Sequence, residues 1–130
     1  MEGLNEAARR LVTAANVPAV LGPALASYFT LVCETEEGVV GVGALDASEI
    51  KRLYIAPQAQ GRGVGRALLR HLEGEALARG AVALSLEASP SSVAFYEVAG
   101  FRVVRSYTLS RGDTQFAVVR MEKQLARTAV

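Results

Sequence analysis

Seven consecutive residues, Gln60-Gly61-Arg62-Gly63-Val64-Gly65-Arg66, carry the most specific chemistry in this chain. Their glycines strip a turn of side chains, so its backbone can approach a ligand closely and take φ > 0. The apolar run Leu53-Tyr54-Ile55-Ala56-Pro57 before it reads as the end of a strand. The periodic segment 67–79 after it reads as a helix that begins near Gly63. The first N–H groups of a helix have no internal partners and carry the positive end of its dipole. With Arg62 and Arg66 beside them, these groups make a cradle for a pyrophosphate. The turn is not a P-loop, which continues with Lys-Ser/Thr, because Arg66-Ala67 stand there. Nor does it keep the dinucleotide spacing G-x-G-x-x-G, since Ala67-Leu68 occupy the wrong offsets.

The elements that must hold this cradle are legible on both sides. In the strand at 49–56, Ile50 is apolar, yet the next apolar residues are Leu53 and Ile55. Strict alternation would put Arg52 and Tyr54 on the face of Ile50, so the phase slips by one residue. A β-bulge absorbs such a slip and splays the strand from its neighbour. The splay frees backbone N–H and C=O groups that something else must satisfy. The following helix carries Val64, Leu68, Leu72 and Ala76 on one stripe and stops at Gly80, with Gly74 inside it. His71 lies on this helix, far in sequence from any partner, and reads as solvated surface.

Earlier in the chain, Leu4, Ala8, Leu11 and Ala15 recur at helical spacing, with Asn5 as N-cap and Asn16 at the far end. A short helix or turn at 18–26 follows. Residues 28–34 and 39–45 then form a hairpin around Thr35-Glu36-Glu37-Gly38. Beyond the cradle, Val82, Leu84 and Leu86 alternate as a strand. Ser89-Pro90 opens a helix, with Ser89 as its N-cap, that ends before Gly100. Residues 101–109 and 115–122 make a last hairpin, whose Arg111-Gly112-Asp113 is a turn.

Composition bounds the function. A chain of 130 residues is one domain with room for a core. Its formal net charge of +1 creates no field that would draw nucleic acid or acidic lipid. The single Cys33 excludes an internal disulfide and reads as a small buried residue, and a single histidine leaves no zinc site. Arg9-Arg10 before the apolar stretch 17–32 imitate a signal peptide. Glu2 and Glu6 offset that charge, and Pro18, Gly22 and Pro23 break the stretch. The run is also too broken to span a bilayer. The expectation is a globular, cytoplasmic protein without a metal.

Three stretches together resemble the GCN5-related N-acetyltransferase (GNAT) family over about residues 28–125. They are Glu49-Ile50-Lys51-Arg52-Leu53-Tyr54-Ile55-Ala56-Pro57, the spacing Gln60-x-x-Gly63-x-Gly65, and Leu86 through Phe101, which holds Phe95-Tyr96-Glu97-x-x-Gly100-Phe101. The resemblance implies an α/β acetyltransferase fold with a mixed, mostly antiparallel sheet of about six strands and a splayed central strand. It implies acetyl-CoA as co-substrate and a primary amine, on a small molecule or a protein, as acceptor, joined by direct attack in a ternary complex. The backbone of Leu53, Tyr54 and Ile55 would pair with pantetheine. Gln60, Gly61, Arg62, Gly63, Val64 and Gly65 would hold the pyrophosphate, with Arg66 beside them. Tyr96 falls where the family commonly places the general acid that protonates the departing thiolate; the competing reading is a core aromatic packed on Phe95. Glu49 falls where some members keep a general base, although a solvated strand end fits it equally, and Glu87 is a second carboxylate on the neighbouring strand.

Two departures qualify the match. Many relatives carry an asparagine at the start of the short helix, where this chain has Ser89 and Ser91; Ser91 is the residue expected to contact the cofactor. No clear first strand precedes the opening helix, so residues 1–27 read as shortened acceptor-side helices before the core at 28–125. A sheet edge left open there would invite a second copy of the chain, a homodimer. The alternative function is a catalytically weak acetyl-CoA-binding regulator of the same fold. A nucleotide-binding module is disfavoured by the glycine spacing.

Overall fold

The computed structural model describes residues 10–13, as backbone, and 28–125. One mixed sheet runs through them. Its strands are β1 (Arg10–Thr13), β2 (Phe29–Thr35), β3 (Gly38–Asp46), β4 (Glu49–Ile55), β5 (Ala83–Ala88), β6 (Arg102–Arg111) and β7 (Thr114–Gln124). They lie in the order β1-β2-β3-β4-β5-β7-β6. Among the described strands only β4 and β5 pair in parallel. Among the described residues two α-helices accompany the sheet: α1 (Val64–Ala78) between β4 and β5, and the short α2 (Val93–Val98) between β5 and β6.

The opening segment corrects the expectation of a helix there. Residues Arg10–Thr13 form a strand that pairs antiparallel with β2, Leu11 opposite Cys33 and Val12 opposite Val32. β-Branched Val12 and Thr13 favour the pleated state, and pairing with an open strand edge outweighs a weak helical spacing. A first strand therefore exists, and it covers the edge of β2. Leu4, Asn5, Ala8, Ala15 and Asn16 of the expected helix, and the turn at 18–26, lie outside the described residues.

Helix α1 packs on one face of the sheet through the stripe expected of it. Val64, Leu68, Leu72 and Ala76 are all at most 1% exposed. Burying each leucine contributes about 1.5–3 kcal/mol. The helix comes close because β3 presents glycines to it. A Cβ at Gly41 would lie 2.8 Å from Val64 Cγ1, and one at Gly43 would lie 3.0 Å from Leu72 Cδ1. His71 is exposed and its Nδ1 is 2.8 Å from the Ala67 carbonyl oxygen. Buried Cys33 is fully enclosed, and burial raises its thiol pKa.

Gly74 offers a test of this packing. A Cβ there would meet nothing within 4 Å. Gly74→Ala should therefore stabilise the fold by about 0.5–1 kcal/mol through helix propensity. Gly41→Ala should destabilise it by about 1–3 kcal/mol through overpacking. Urea unfolding of the two variants checks both signs; a stabilising Gly41→Ala would refute the close approach of α1 to β3.

Candidate active site

The site begins with one extra residue in β4. Leu45 pairs with Ile50, and the next residue of β3, Ala44, pairs with Arg52. Lys51 is thus the bulged residue, inside the interval where the apolar phase slipped. Beyond it β4 leaves β5: the parallel pairing ends with Ile50 opposite Leu86. The direction in which the freed groups point follows from the ladder. Ala56 N–H donates to Val40 C=O at 2.8 Å. Antiparallel alternation then makes Val42 and Tyr54 a hydrogen-bonded pair. Tyr54 serves β3 with its backbone, while Leu53 and Ile55 turn their amides and carbonyls into the gap beside β5.

The gap opens into a cleft of about 720 Å³. Leu53, Tyr54 and Ile55 line one wall, and the cradle lines the end. Gly61 and Gly63 hold φ of 79° and 87°, the left-handed region in which a side chain is strained. Gly63 is the N-cap of α1 and supplies no side-chain cap. The N–H groups of Val64, Gly65 and Arg66 are consequently left at the helix N-terminus without a side-chain acceptor, where they carry the positive end of the dipole. A Cβ on Gly65 would lie 3.0 Å from Phe95 Cζ, so α2 can close against α1 only over a glycine. Gln60 Nε2 donates to the Ile55 carbonyl at 3.2 Å, tying the turn to the strand end.

Gln60, Gly61, Gly63, Gly65 and Arg66 line this cleft, as does Ser91. Arg62 is exposed but is not part of the lining. The Val64 side chain is 1% exposed and belongs to the core, which leaves only its N–H for a ligand. Ser89 does not cap the helix as expected. The chain makes a 3-10 turn at Pro90–Ser92, and Ser89 Oγ instead lies 3.2 Å from Ser91 Oγ and 3.0 Å from Ser92 Oγ. The tight turn brings the three hydroxyls together before α2 begins.

Tyr96 is held by the way α2 ends. Gly100, at φ 104°, follows the last turn, where Gly100 N–H donates to Glu97 C=O and Phe101 N–H to Tyr96 C=O, both at 3.0 Å. This is the Schellman stop, in which the residue after the glycine contacts the one five before it. Those two residues are Phe101 and Tyr96, whose rings meet edge-on with centroids 5.7 Å apart. Phe95 meets Tyr96 edge-on from the other side at 5.1 Å. Lys123 Nζ donates to Ala99 C=O and to Glu73 Oε2, each at 2.8 Å, and so ties the end of α2 to α1 and β7. Tyr96 is 9% exposed, and burial raises its phenol above the ordinary 10.0. Its ring lines the main cleft and also a second, polar chamber of about 210 Å³ bounded by Lys51, Arg52, Glu87 and Ser89. The two spaces share Leu53, Ser92 and Tyr96. No hydrogen bond links the Tyr96 hydroxyl to another side chain among the described residues.

Glu49 is placed differently. Its carboxylate accepts from Arg120 Nη1 at 3.1 Å and lies 3.5 Å from Lys51 Nζ, and it lines neither space. Arg120 also reaches Ser85 Oγ at 3.0 Å and Glu87 at 3.9 Å. Glu87 accepts a hydrogen bond from the Tyr107 hydroxyl, and that bond raises the Tyr107 phenol. Arg105 stacks over the Tyr107 ring at 4.9 Å. Of the two carboxylates, Glu87 is the one brought beside Tyr96. Arg120 and Tyr107 escaped the sequence reading because they come from the last hairpin; Arg120 is 71 residues from the carboxylate it binds.

The profile of the acetyltransferase (GNAT) domain matches residues 5–125. An IAA acetyltransferase of Azospirillum brasilense is 38% identical over 80 residues, 55% of this chain. That match spans only about half, 52%, of the relative's length. A GCN5-related N-acetyltransferase structure from Rhodopseudomonas palustris superposes with a TM-score of 0.77 at 32% identity, over 86% of this chain and 71% of that one. The structure of yncA from Salmonella typhimurium, solved with its cofactor acetyl-CoA, superposes with a TM-score of 0.66 at 23% identity, over 80% and 68% of the two chains.

The Schellman stop carries its own test. Gly100→Ala places a Cβ 3.0 Å from Lys123 Cε and forces a left-handed alanine. The cost should be about 1–2 kcal/mol. Chemical denaturation should show the loss, and near-ultraviolet circular dichroism should show altered packing of Tyr96 and Phe101. A variant as stable as the wild type would mean that the stop does not hold Tyr96.

Proposed function

The chain belongs to the GNAT acetyltransferase family, and on that premise we propose that it transfers acetyl from acetyl-CoA to a primary amine by direct attack in a ternary complex. One observation carries this reading: the cleft runs unbroken from the uncapped N-terminus of α1, past the splayed β4, to the Tyr96 ring. The residues fit the co-substrate along that whole path. The N–H groups of Val64, Gly65 and Arg66, with the Arg66 guanidinium, suit a pyrophosphate. Leu53 and Ile55 offer backbone groups to the two amides of a pantetheine arm, as a missing β5 partner would. Bound there, acetyl-CoA supplies a thioester whose leaving group is a thiolate.

The chain's own groups do the rest. Tyr96 keeps its proton at neutral pH, because burial disfavours the phenolate. A phenol is of roughly the basicity that suits protonation of a departing thiolate. Glu87, beside Tyr96 in the second chamber, draws in an ammonium ion and takes up or passes on its proton at the solvent-open side. Glu49 acts through Arg120, holding the guanidinium that steadies Glu87. Since the phenol is raised above 10.0, protonated Tyr96 should persist to that pH or beyond, and any alkaline loss of rate due to its ionisation should fall there, not near neutrality.

Two measurements test the proposal. Acetyl-CoA should raise the melting temperature by mass action while NAD leaves it unmoved, and Gly63→Val should erase the shift; equal stabilisation by NAD would refute the cradle assignment. Tyr96→Phe keeps the ring and should leave acetyl-CoA affinity near wild type. Its kcat and kcat/KM for the amine should fall together by about 10²–10⁴, the contribution of one positioned acid. Turnover per folded molecule equal to wild type would make Tyr96 a packing residue.

A further inference from the structure

The bulge that opens the gap also sets two consecutive basic side chains on one side of it. In a regular strand Lys51 and Arg52 would point to opposite faces. Here both border the polar chamber of about 210 Å³ that Tyr96 also lines. Lys51 is turned partly toward Glu49, 3.5 Å away. Arg52 is exposed and forms no ion pair with any other described residue. Glu87 is the carboxylate of the same chamber, already steadied by Tyr107 and Arg120. The chamber therefore presents a carboxylate on β5 and, on β4, a guanidinium with no ion pair to another described residue, and Tyr96 lines the same space.

We infer that the acceptor is a small zwitterion, an amine that also bears a carboxylate, and that Arg52 is the specificity-determining residue that binds its carboxylate. The inference rests on the acetyltransferase reading and narrows it to a substrate class. A lone amine needs only Glu87. A carboxylate on the same molecule meets the fork of Arg52, which is shaped for that anion, with Lys51 alongside. The ammonium end then lies toward Glu87, nearest the hydroxyl of Tyr96. The small chamber suits a free amino acid better than a folded protein surface.

Matched acceptors test this: amino acids, the amines obtained by removing their carboxyl group, and their methyl esters, each assayed by thiol release from acetyl-CoA. The wild type should prefer the free acids in kcat/KM by at least about tenfold, the worth of a charge-assisted hydrogen bond. That preference should shrink with added salt. Arg52→Gln should bring the ratio of acid to decarboxylated amine toward one, and Arg52→Glu should reverse it. A preference below about threefold, an unchanged ratio in Arg52→Gln, or better turnover of a neutral lysine peptide would overturn the inference while leaving the acetyltransferase reading intact. If no amine is turned over, that reading fails instead. Calorimetry of the same acids with the CoA-loaded protein then decides the site by itself: binding lost in Arg52→Gln supports it, and absent or unaltered binding overturns it.

Discussion

The departure of β4 from β5 is the constraint on which the rest of this structure depends. A parallel pair continued past Ile50 would close the sheet and leave no cleft. The single bulged residue, Lys51, lets Ile50 and Leu53 share the core side although three positions separate them. It also turns the amides of Leu53 and Ile55 away from any ladder. Buried backbone groups without partners cost about 1–3 kcal/mol each. The fold recovers part of that cost itself, through the Gln60 side chain on the Ile55 carbonyl. The remainder is satisfied by water or by a ligand with matching amides. A gap lined by free backbone groups is thus the direct consequence of one insertion in a strand.

A second constraint locks the other wall. Helix α2 is only six residues long and has little helical stability of its own. What holds it is its end: the left-handed Gly100, the Phe101–Tyr96 contact across the stop, and Lys123 bridging Ala99 and Glu73. Gly65 lets Phe95 rest on the first turn of α1. The cradle and Tyr96 are therefore positioned by the same packing, and a displacement of α2 would disturb both.

Much of this was legible in the sequence because the signals were local. The phase slip between Ile50 and Leu53 located the bulge, the four-residue stripe on α1 located its buried face, and the glycines of the turn located the uncapped helix start. Gly100 next to Phe101 located the end of α2. The illegible parts depended on distant partners. Residues Arg10–Thr13 are a strand because β2 offers an edge, which no window around Leu11 can reveal. The Ser89 hydroxyl went to Ser91 and Ser92, since the 3-10 turn gathers the three side chains. Glu49 and Glu87 looked alike until Arg120 and Tyr107 were placed beside them. Their different surroundings, and not their strand positions, separate them.

The same contacts bear on the choice between an enzyme and a silent acetyl-CoA-binding regulator. A regulator needs the cradle and the slot, and it could carry phenylalanine at position 96 with the same edge-on contacts to Phe95 and Phe101. The chain instead keeps a tyrosine that is 9% exposed, with no hydrogen bond from its hydroxyl to another described side chain. Every enclosed side-chain polar atom of the described residues has a hydrogen-bond partner, so this unpartnered hydroxyl stays open to solvent. Nothing in the packing of α2 requires that oxygen. Tyr96 lines both spaces, so groups entering from either side meet this residue. On the acetyl-transfer reading proposed above, a phenol bordering both spaces has a use as a proton donor. For mere retention of one ligand it has none.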